Sequence, residues 1–285
     1  MHVNIRPAER RDAAECGRIC YEAFAALATA YNFTPDFPNA DVATGLVLML
    51  LGSEGLYAIV AELEGRIVGS NFVNEQGVIH GIGPITIDPQ VQNEGIGGRL
   101  MRAALSRTLQ KGAAGVRLVQ AGYHCRSLSL YSKLGFEVRE HLCCLQGPAL
   151  VRETPGYRVR PAGEHDVVAC NSLAERVHGH HRGAELCAAV SHGTAAVVER
   201  AGHITGYATQ IAFFGHACGE TTDDIKALIS ASKDFAGPGF LVPSRNGELL
   251  RWCLQNKMRI TQPLTLMTMG LYSEPAGAYL PSIIF

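Results

Sequence analysis

The chain has 285 residues, enough for two ordinary domains. Apolar residues make up 47% and charged residues 18%, so each half can bury a core and a disordered chain is excluded. The formal net charge is −1 and no basic stripe stands out, which argues against nucleic acid, a membrane surface or a polyanion as partner. The nine cysteines are scattered, with no CxxC pair, as in a protein of a reducing compartment. The opening MHVNIRPAERRD has no apolar signal core, and the longest apolar run, 46–51, is too short to span a bilayer. A soluble, cytoplasmic protein is expected, acting as a monomer or homodimer.

In chain order, 3–6 reads as a strand and 13–27 as a helix with Asp12 as its N-cap. The segment 31–41 carries two prolines and several turn formers and reads as a loop. A second helix is predicted over 42–51. Strands follow at 57–63 and 66–74, joined by a Glu64-Gly65 turn, and one more strand at 78–88. The spacing predicts an amphipathic helix over 95–111, with Ile96, Leu100, Ala103, Ala104 and Leu109 on one side. A strand at 115–120, a helix at 126–134 and a strand at 136–145 complete the first half. The stretch 146–156 has two prolines and two glycines and reads as a linker.

The second half echoes the first. Arg6-Pro7-Ala8 followed by Asp12 is matched by Arg160-Pro161-Ala162 followed by Asp166. Glu62, Gly65, Ile67 and Gly69 are matched by Glu199, Gly202, Ile204 and Gly206. The later matches lie closer together along the chain, so the repeat has lost part of its helical entry.

The stretch that carries chemistry is ITIDPQVQNEGIGGRLM, 85–101. A strand ends at Asp88-Pro89, and a glycine-rich turn then opens a helix. A helix N-terminus presents unpaired N–H groups and a positive dipole end, which suits a phosphate. Glycine lets that backbone approach the anion closely. The spacing is neither GxGxxG nor a P-loop. Gln92 is expected to add a side-chain amide donor.

Gln92-x-x-Gly95-x-Gly97 resembles the acetyl-CoA pyrophosphate loop of GNAT (Gcn5-related) acetyltransferases. Ile85-Thr86-Ile87-Asp88-Pro89 resembles the strand that pairs with the pantetheine arm. Leu130-Tyr131-Ser132-Lys133-Leu134-Gly135-Phe136 is similar to the family's helix ending in a Tyr, followed by Gly-Phe. The resemblance covers 3–146. It implies an α/β (α+β) fold of two GNAT-like lobes, each a mixed, mostly antiparallel sheet flanked by helices. Residues 1–147 would be the catalytic lobe and 157–285 a degenerate lobe without the cofactor loop.

The resemblance further implies acetyl-CoA as co-substrate, with contacts at Ile85, Thr86 and Ile87, at Gln92, Asn93, Glu94, Gly95, Ile96, Gly97, Gly98 and Arg99, and at His124, Ser127 and Tyr131. Tyr131 would protonate the leaving thiolate. His124 stands where many members carry Asn. The central strand lacks the Glu that some members use as base, and His80 is its only titratable group. Its more common role in a sheet is packing, so the base stays open. Tyr31, Phe33 and Phe37 fall in a loop that often lines the acceptor site. A small-molecule amine is the expected acceptor, with a non-catalytic acyl-CoA sensor or a protein N-acetyltransferase as alternatives. No nucleic acid, membrane or metal is expected. His178-Gly179-His180-His181, with Glu175 and Glu185 nearby, is more simply a polar loop than a metal site. Trp252 is expected near the position equivalent to Tyr131, and the closing segment 271–285 is apolar enough to pack.

Overall fold

The computed structural model describes residues 3–284; Met1, His2 and Phe285 lie outside it. The first half runs β1 (Val3–Pro7), α1 (Ala13–Tyr31), α2 (Ala40–Gly52), β2 (Leu56–Leu63), β3 (Arg66–Asn74), β4 (Ile79–Ile82), β5 (Thr86–Ile87), α3 (Ile96–Gln110), β6 (Gly115–Ala121), α4 (Cys125–Lys133) and β7 (Glu137–Gln146). The second half runs β8 (Arg158–Pro161), α5 (Val167–His178), α6 (Gly183–Ser191), β9 (Ala196–Arg200), β10 (His203–Ala208), β11 (Ala217–Gly219), α7 (Thr222–Ala231), β12 (Phe240–Pro243), α8 (Gly247–Gln255), β13 (Arg259–Gly270) and β14 (Ala278–Leu280). It is a mixed α/β protein, and its strands pair mostly antiparallel.

Helices cover both faces of the first sheet. Ala13, Cys16, Val47 and Leu50 of α1 and α2 pack on Ala58, Val60 and Phe72. Ile96, Leu100, Met101 and Ala104 of α3 pack on Ile59, Ala61 and Val68 from the other side. Strand alternation explains the split, since neighbours along β2 point to opposite faces. The predicted face of α3 is right except at its end. Leu109 is 80% exposed, and Thr108 is the buried residue. Truncating the fully buried Leu100 to Ala should cost about 2–5 kcal/mol.

Asp12 does not cap α1 by its side chain. Instead Arg6 donates to it through Nη1 at 2.7 Å and Nη2 at 3.0 Å, and through Nε to Glu62 at 2.8 Å. The same clamp recurs in the second half. Arg160 donates to Asp166 at 2.7 and 2.8 Å and to Glu199 at 2.8 Å. The residues matched by sequence thus occupy matched places in space.

The two halves are interlocked. The strand order of the larger sheet is β1-β2-β3-β4-β6-β13-β7-β12, with β5 on β3. Strand β13 pairs with β6 from Leu264↔Ala121 to Gly270↔Gly115, and with β7 on its other side. Strand β7 in turn pairs with β12, Phe240 opposite Leu145. Each half therefore inserts its late long strand beside a strand of the other. The second sheet, β14-β11-β10-β9-β8, holds what remains. Sheet membership does not follow the linker at 146–156, because β13 belongs to the sheet of the first half. Among the described residues no helix is long and apolar enough to cross a membrane, and the nine cysteines are free thiols.

Candidate functional site

The strand predicted over 78–88 is two strands. Pro84 has no N–H to offer a ladder, and the chain leaves its neighbour there. Strand β4 pairs in parallel with β6 from Ile79↔Gly115 to Gly81↔Arg117. Beyond that rung β5 follows β3 alone, while β6 runs on to Ala121 with β13 as its partner. Two main-chain edges, 85–87 and 118–121, face each other across a gap.

The direction of the groups not bonded to β3 follows from register. Asp88 N–H donates to Val68 O at 2.9 Å, and Thr86 lies opposite Ser70. In an antiparallel pair the hydrogen-bonded rungs alternate. Ile85 and Ile87 therefore turn their N–H and C=O groups away from β3, into the gap. The Thr86 side chain does the reverse: it is buried, 3.3 Å from the Ser70 hydroxyl.

The gap leads to the glycine-rich turn. Gly95 at φ 77° and Asn93 at φ 72° take the left-handed conformation that redirects the chain into α3. Gly95 is the N-cap and contributes no side-chain cap. Arg99 N–H is bonded to Gly95 O at 3.2 Å. The N–H groups of Ile96, Gly97 and Gly98 precede the first closed turn and aim outward along the axis. Glu94 and Arg99 are exposed beside them. Gln92 does not serve as a free amide donor. Its Nε2 donates to Ile87 O at 3.2 Å, and its Oε1 accepts from Arg126 at 2.6 Å. Arg126 also donates to Asn93 Oδ1 at 3.1 Å. A guanidinium from α4 thus braces the turn and adds positive charge to it. The sequence reading missed Arg126 because its partner lies 33–34 residues away.

On α4, His124, Ser127 and Tyr131 share one face, as their spacing requires. The Ser127 hydroxyl bonds His124 Nδ1. Tyr131 is buried, its ring 6.2 Å from that of Phe136. Burial pushes its phenol up to about 12, against a lowering hydrogen bond from Ser127. Burial and the nearby Arg126 push His124 down, which favours its neutral form.

Gln120 is a second residue that the sequence reading missed. It stands four residues from Val116 and two from Leu118, both packed against α3, so alternation turns it to the same side. It is buried, and neither atom of its amide has a hydrogen-bond partner among the described residues. A buried, unsatisfied amide costs about 1–3 kcal/mol. Its place on the far edge of the gap suits a ligand that itself carries amides, as the pantetheine arm does.

His80 is not gathered into this row. It lies opposite Val116, where β4 and β6 are still paired, and it is buried. Its charged neighbours are Glu75, Lys111 and Arg107 at the far end of α3. Burial lowers its pKa. The expected substrate loop does reach the end of β6. The Phe33 ring stacks on Tyr123 at 4.2 Å, and that of Tyr31 lies 5.2 Å from it. Phe37 instead packs on Phe24, ring centroids 5.7 Å apart. Asp36 of this loop accepts from Gln262 Nε2 at 2.9 Å, and Gln262 Oε1 accepts from Tyr123 at 3.3 Å. Burial raises the Asp36 carboxyl, against the lowering bond from Gln262. The second half thus supplies a side chain to this corner.

Residues 54–138, from β2 to the start of β7, match the family model described as an acetyltransferase (GNAT) domain. The chain carries a GNAT acetyltransferase domain over residues 54–138. Across nearly its whole length it is similar to a solved structure from Pyrococcus horikoshii reported as a candidate acetyltransferase. The identity is 17%, 99% of this chain and 92% of that chain are covered, and the TM-score is 0.72. It is also similar to a GCN5-related N-acetyltransferase from Sphaerobacter thermophilus, at 15% identity, 95% and 96% coverage and a TM-score of 0.61. A GNAT family acetyltransferase from Brucella melitensis, solved with acetyl-CoA, matches at 30% identity over 48% of this chain and 83% of that one, with a TM-score of 0.38. Among curated proteins none matches. The first two likenesses extend the shared fold beyond the GNAT domain into the second half.

Among the described residues the second half has no open turn of this kind. The place of Gly95 is taken by Thr221, the N-cap of α7. Asp224, fully buried, accepts from Thr221 N–H at 2.8 Å and from Thr205 Oγ1 at 2.5 Å. The helix end that would hold a phosphate holds its own carboxylate. In α8 the seventh residue is Cys253, as Tyr131 is the seventh of α4, so Cys253 and not Trp252 takes the matching place. Asn246 caps α8 as His124 opens α4. Among the described residues no group of three His, Cys, Asp or Glu side chains converges on a metal position.

Proposed function

We propose that the protein transfers the acetyl group of acetyl-CoA to the primary amine of a small, amino-acid-like molecule. The observation that carries this reading is the gap between β5 and β6, edged by the turned-out main chain of Ile85 and Ile87. It runs between the open N-terminus of α3 and the row of half-buried His124 and Ser127 and buried Tyr131. Bound acetyl-CoA supplies a thioester, whose C–S bond breaks as the amine nitrogen forms the new C–N bond.

The chain's residues divide the work. The N–H groups of Ile96, Gly97 and Gly98, with Arg126 beside them, hold the pyrophosphate. The Gln120 amide and the main chain of Ile85 and Ile87 hold the pantetheine amides. A main-chain N–H at the gap is the donor for negative charge on the carbonyl oxygen. Tyr131, with its phenol at about 12, keeps its proton at neutral pH and donates a hydrogen bond to the departing thiolate, whose own pKa of about 8.5 makes it a stable leaving group that takes up the amine's proton through solvent. Asp36, at the acceptor-side loop, is better placed than His80 to take the amine proton, through water. The second half acts as a GNAT-like lobe without a cofactor, completing the sheet and covering the acceptor side. A monomer or homodimer fits this design.

The test is thiol release from acetyl-CoA with a panel of small primary amines, with the acetylated product identified by mass. Release that depends on the amine supports the reading. Acetyl-CoA binding with no turnover on any amine or peptide N-terminus would replace it with a non-catalytic sensor.

A further inference from the structure

Strand β13 opens with Arg259-Ile260-Thr261-Gln262-Pro263-Leu264. Its pairing with β7 slips there by one residue. Ile260 stands opposite Leu145 and Gln262 opposite Cys144, so Thr261 is extra. A bulge of this kind re-aims the side chain beside it. Beyond it the alternation is regular. Gln262, Leu264 and Leu266 share a face, and the two leucines pack with Val119. Val119 alternates with Leu118, which packs on the α3 side. Gln262 therefore lies on the face of the sheet turned away from the cofactor. It stands just past the end of β6, where Gly122 N–H donates to Pro263 O at 2.9 Å.

Gln262 is buried, and both ends of its amide are engaged. Tyr123 O–H donates to Oε1 at 3.3 Å, and Nε2 donates to Asp36 Oδ1 at 2.9 Å. An ionised carboxylate only accepts, so the amide must present its N–H end to Asp36, and the Tyr123 hydroxyl secures the other end. The Tyr123 ring is itself held by the stacked Phe33 ring at 4.2 Å. Among the described residues no cation pairs with Asp36. The titratable groups that face it are the thiols of Cys20 on α1 and Cys144 on β7 and the Tyr123 phenol. Burial, with the Asp36 charge adding to it, pushes these to about 12, about 11 and about 12, so all three are neutral at neutral pH. Burial raises the Asp36 carboxyl as well, and the bond from Gln262 opposes that rise. Among the described residues the Gln262 amide is the one side chain that favours the ionised form of Asp36.

We propose that Gln262 is a positioning residue of the reaction: secured by Tyr123, it aims the Asp36 carboxylate and keeps it able to take the proton of the acceptor ammonium. The proton passes to Asp36 through water, and the lone pair left on nitrogen attacks the thioester carbon. Without a donor of this kind a carboxyl in an apolar corner keeps its own proton to higher pH and leaves less base at neutral pH. Strand β13 crosses from the second half to lie between β6 and β7, and so brings the amide to a carboxyl 226 residues earlier in the chain. The second half thereby takes part in the chemistry as well as in the sheet. The proposal rests on the acetyltransferase reading for the source of the proton, whereas the control of Asp36 by Gln262 stands on its own geometry.

The experiment follows the Asp36 carboxyl of the full chain by carbon-13 NMR, its signal assigned by its loss in Asp36→Asn. The pH profile of kcat/KM for the most active amine of the panel is measured beside it. Gln262→Met keeps the length of the side chain and removes the donor. The Asp36 titration should move up by about one pH unit, the effect of losing a hydrogen bond to a charged group. The acidic limb of kcat/KM should move up with it, while the KM for acetyl-CoA stays as it is, because the cofactor lies on the other face. Tyr123→Phe is the second variant, used also if Gln262→Met does not fold. It keeps the stacked ring, frees the amide to turn, and should shift both titrations the same way by less. The proposal is overturned if the Asp36 titration moves in neither variant, or if it moves and the acidic limb does not. If Asp36 shifts but the wild type releases no thiol with any amine, the transferase reading falls and the control of Asp36 by Gln262 stands.

Discussion

Gly97→Glu separates the fold from the cofactor site. A Cβ at Gly97 would meet Leu130 at 3.6 Å and Ile87 at 3.8 Å, both ordinary van der Waals contacts. The substitution therefore has room. Replacing a helical glycine by glutamate gains about 0.5–1 kcal/mol of helix propensity. An acidic side chain in the first turn adds about 0.3–1 kcal/mol through the dipole. The unliganded variant should melt at the wild-type temperature or a few degrees above it. Acetyl-CoA at 100 times its dissociation constant stabilises the wild type by about 2.7 kcal/mol. For a chain of this size that is a rise of about 5 °C. In the variant a carboxylate stands among the N–H groups meant for the pyrophosphate, and the rise should vanish. Thermal unfolding of both proteins with and without acetyl-CoA is the assay. An equal rise in the variant would show that the pyrophosphate does not use this turn. A drop of several degrees without ligand would show that the space around Gly97 is misjudged.

Tyr131→Phe keeps the ring beside Phe136 and removes the proton donor. kcat should fall about 100-fold while the acetyl-CoA-induced thermal shift remains, and a rise in KM at unchanged kcat would refute the assigned role. Residues 1–147 expressed alone lack β13 and leave β6 and β7 with open edges, so they should aggregate, whereas co-expression with 148–285 should restore a soluble complex. A well-behaved monomer of 1–147 in size-exclusion chromatography would contradict the interlocked sheet. Asp36→Asn tests the buried carboxyl. Burial raises its pKa in the folded state, so the stability it allows is complete below the unfolded value and declines as pH rises through the raised one. The amide should therefore raise the melting temperature at neutral pH and leave it nearly unchanged at pH about 3, below the ordinary aspartate pKa of about 3.9. Equal effects at both pH values would refute the burial argument.

Much of the first half was legible because its signals are local. The stripe of Ile96, Leu100 and Ala104, the Gly95 turn and the Tyr131-to-Phe136 run each lie within a few turns of chain. What escaped the sequence is what depends on partners far away. Gln92 looked like a free donor because nothing local shows that Ile87 O and Arg126 engage it. Gln120 looked like any strand polar residue until alternation placed it on the cofactor side. His80 was attractive for its type alone, and the fold sets it among Glu75, Arg107 and Lys111 instead. The exchange of β13 and β7 could not be read at all. Both halves show ordinary strand patterns there, and pairing choice is a global property.

The two halves share some local features and differ in others. The clamps Arg6–Asp12–Glu62 and Arg160–Asp166–Glu199 match almost bond for bond, because each ties the first strand to the second and to the helix entry. In the second clamp Arg160 holds the Asp166 carboxyl down at about 2, so the pair stays ionised across the neutral range. That function is structural and serves either half equally. The helix N-terminus is different. In α3 it is left open by Gly95, a choice that gives up a stabilising side-chain cap worth about 1 kcal/mol. In α7 Thr221 and Asp224 close the same place with a capping box. An uncapped end is retained where an external anion completes it. At α7 a buried aspartate completes the end from within the chain. The contrast between Gly95 and Asp224 is thus the strongest internal argument that the first half is the one that takes the cofactor.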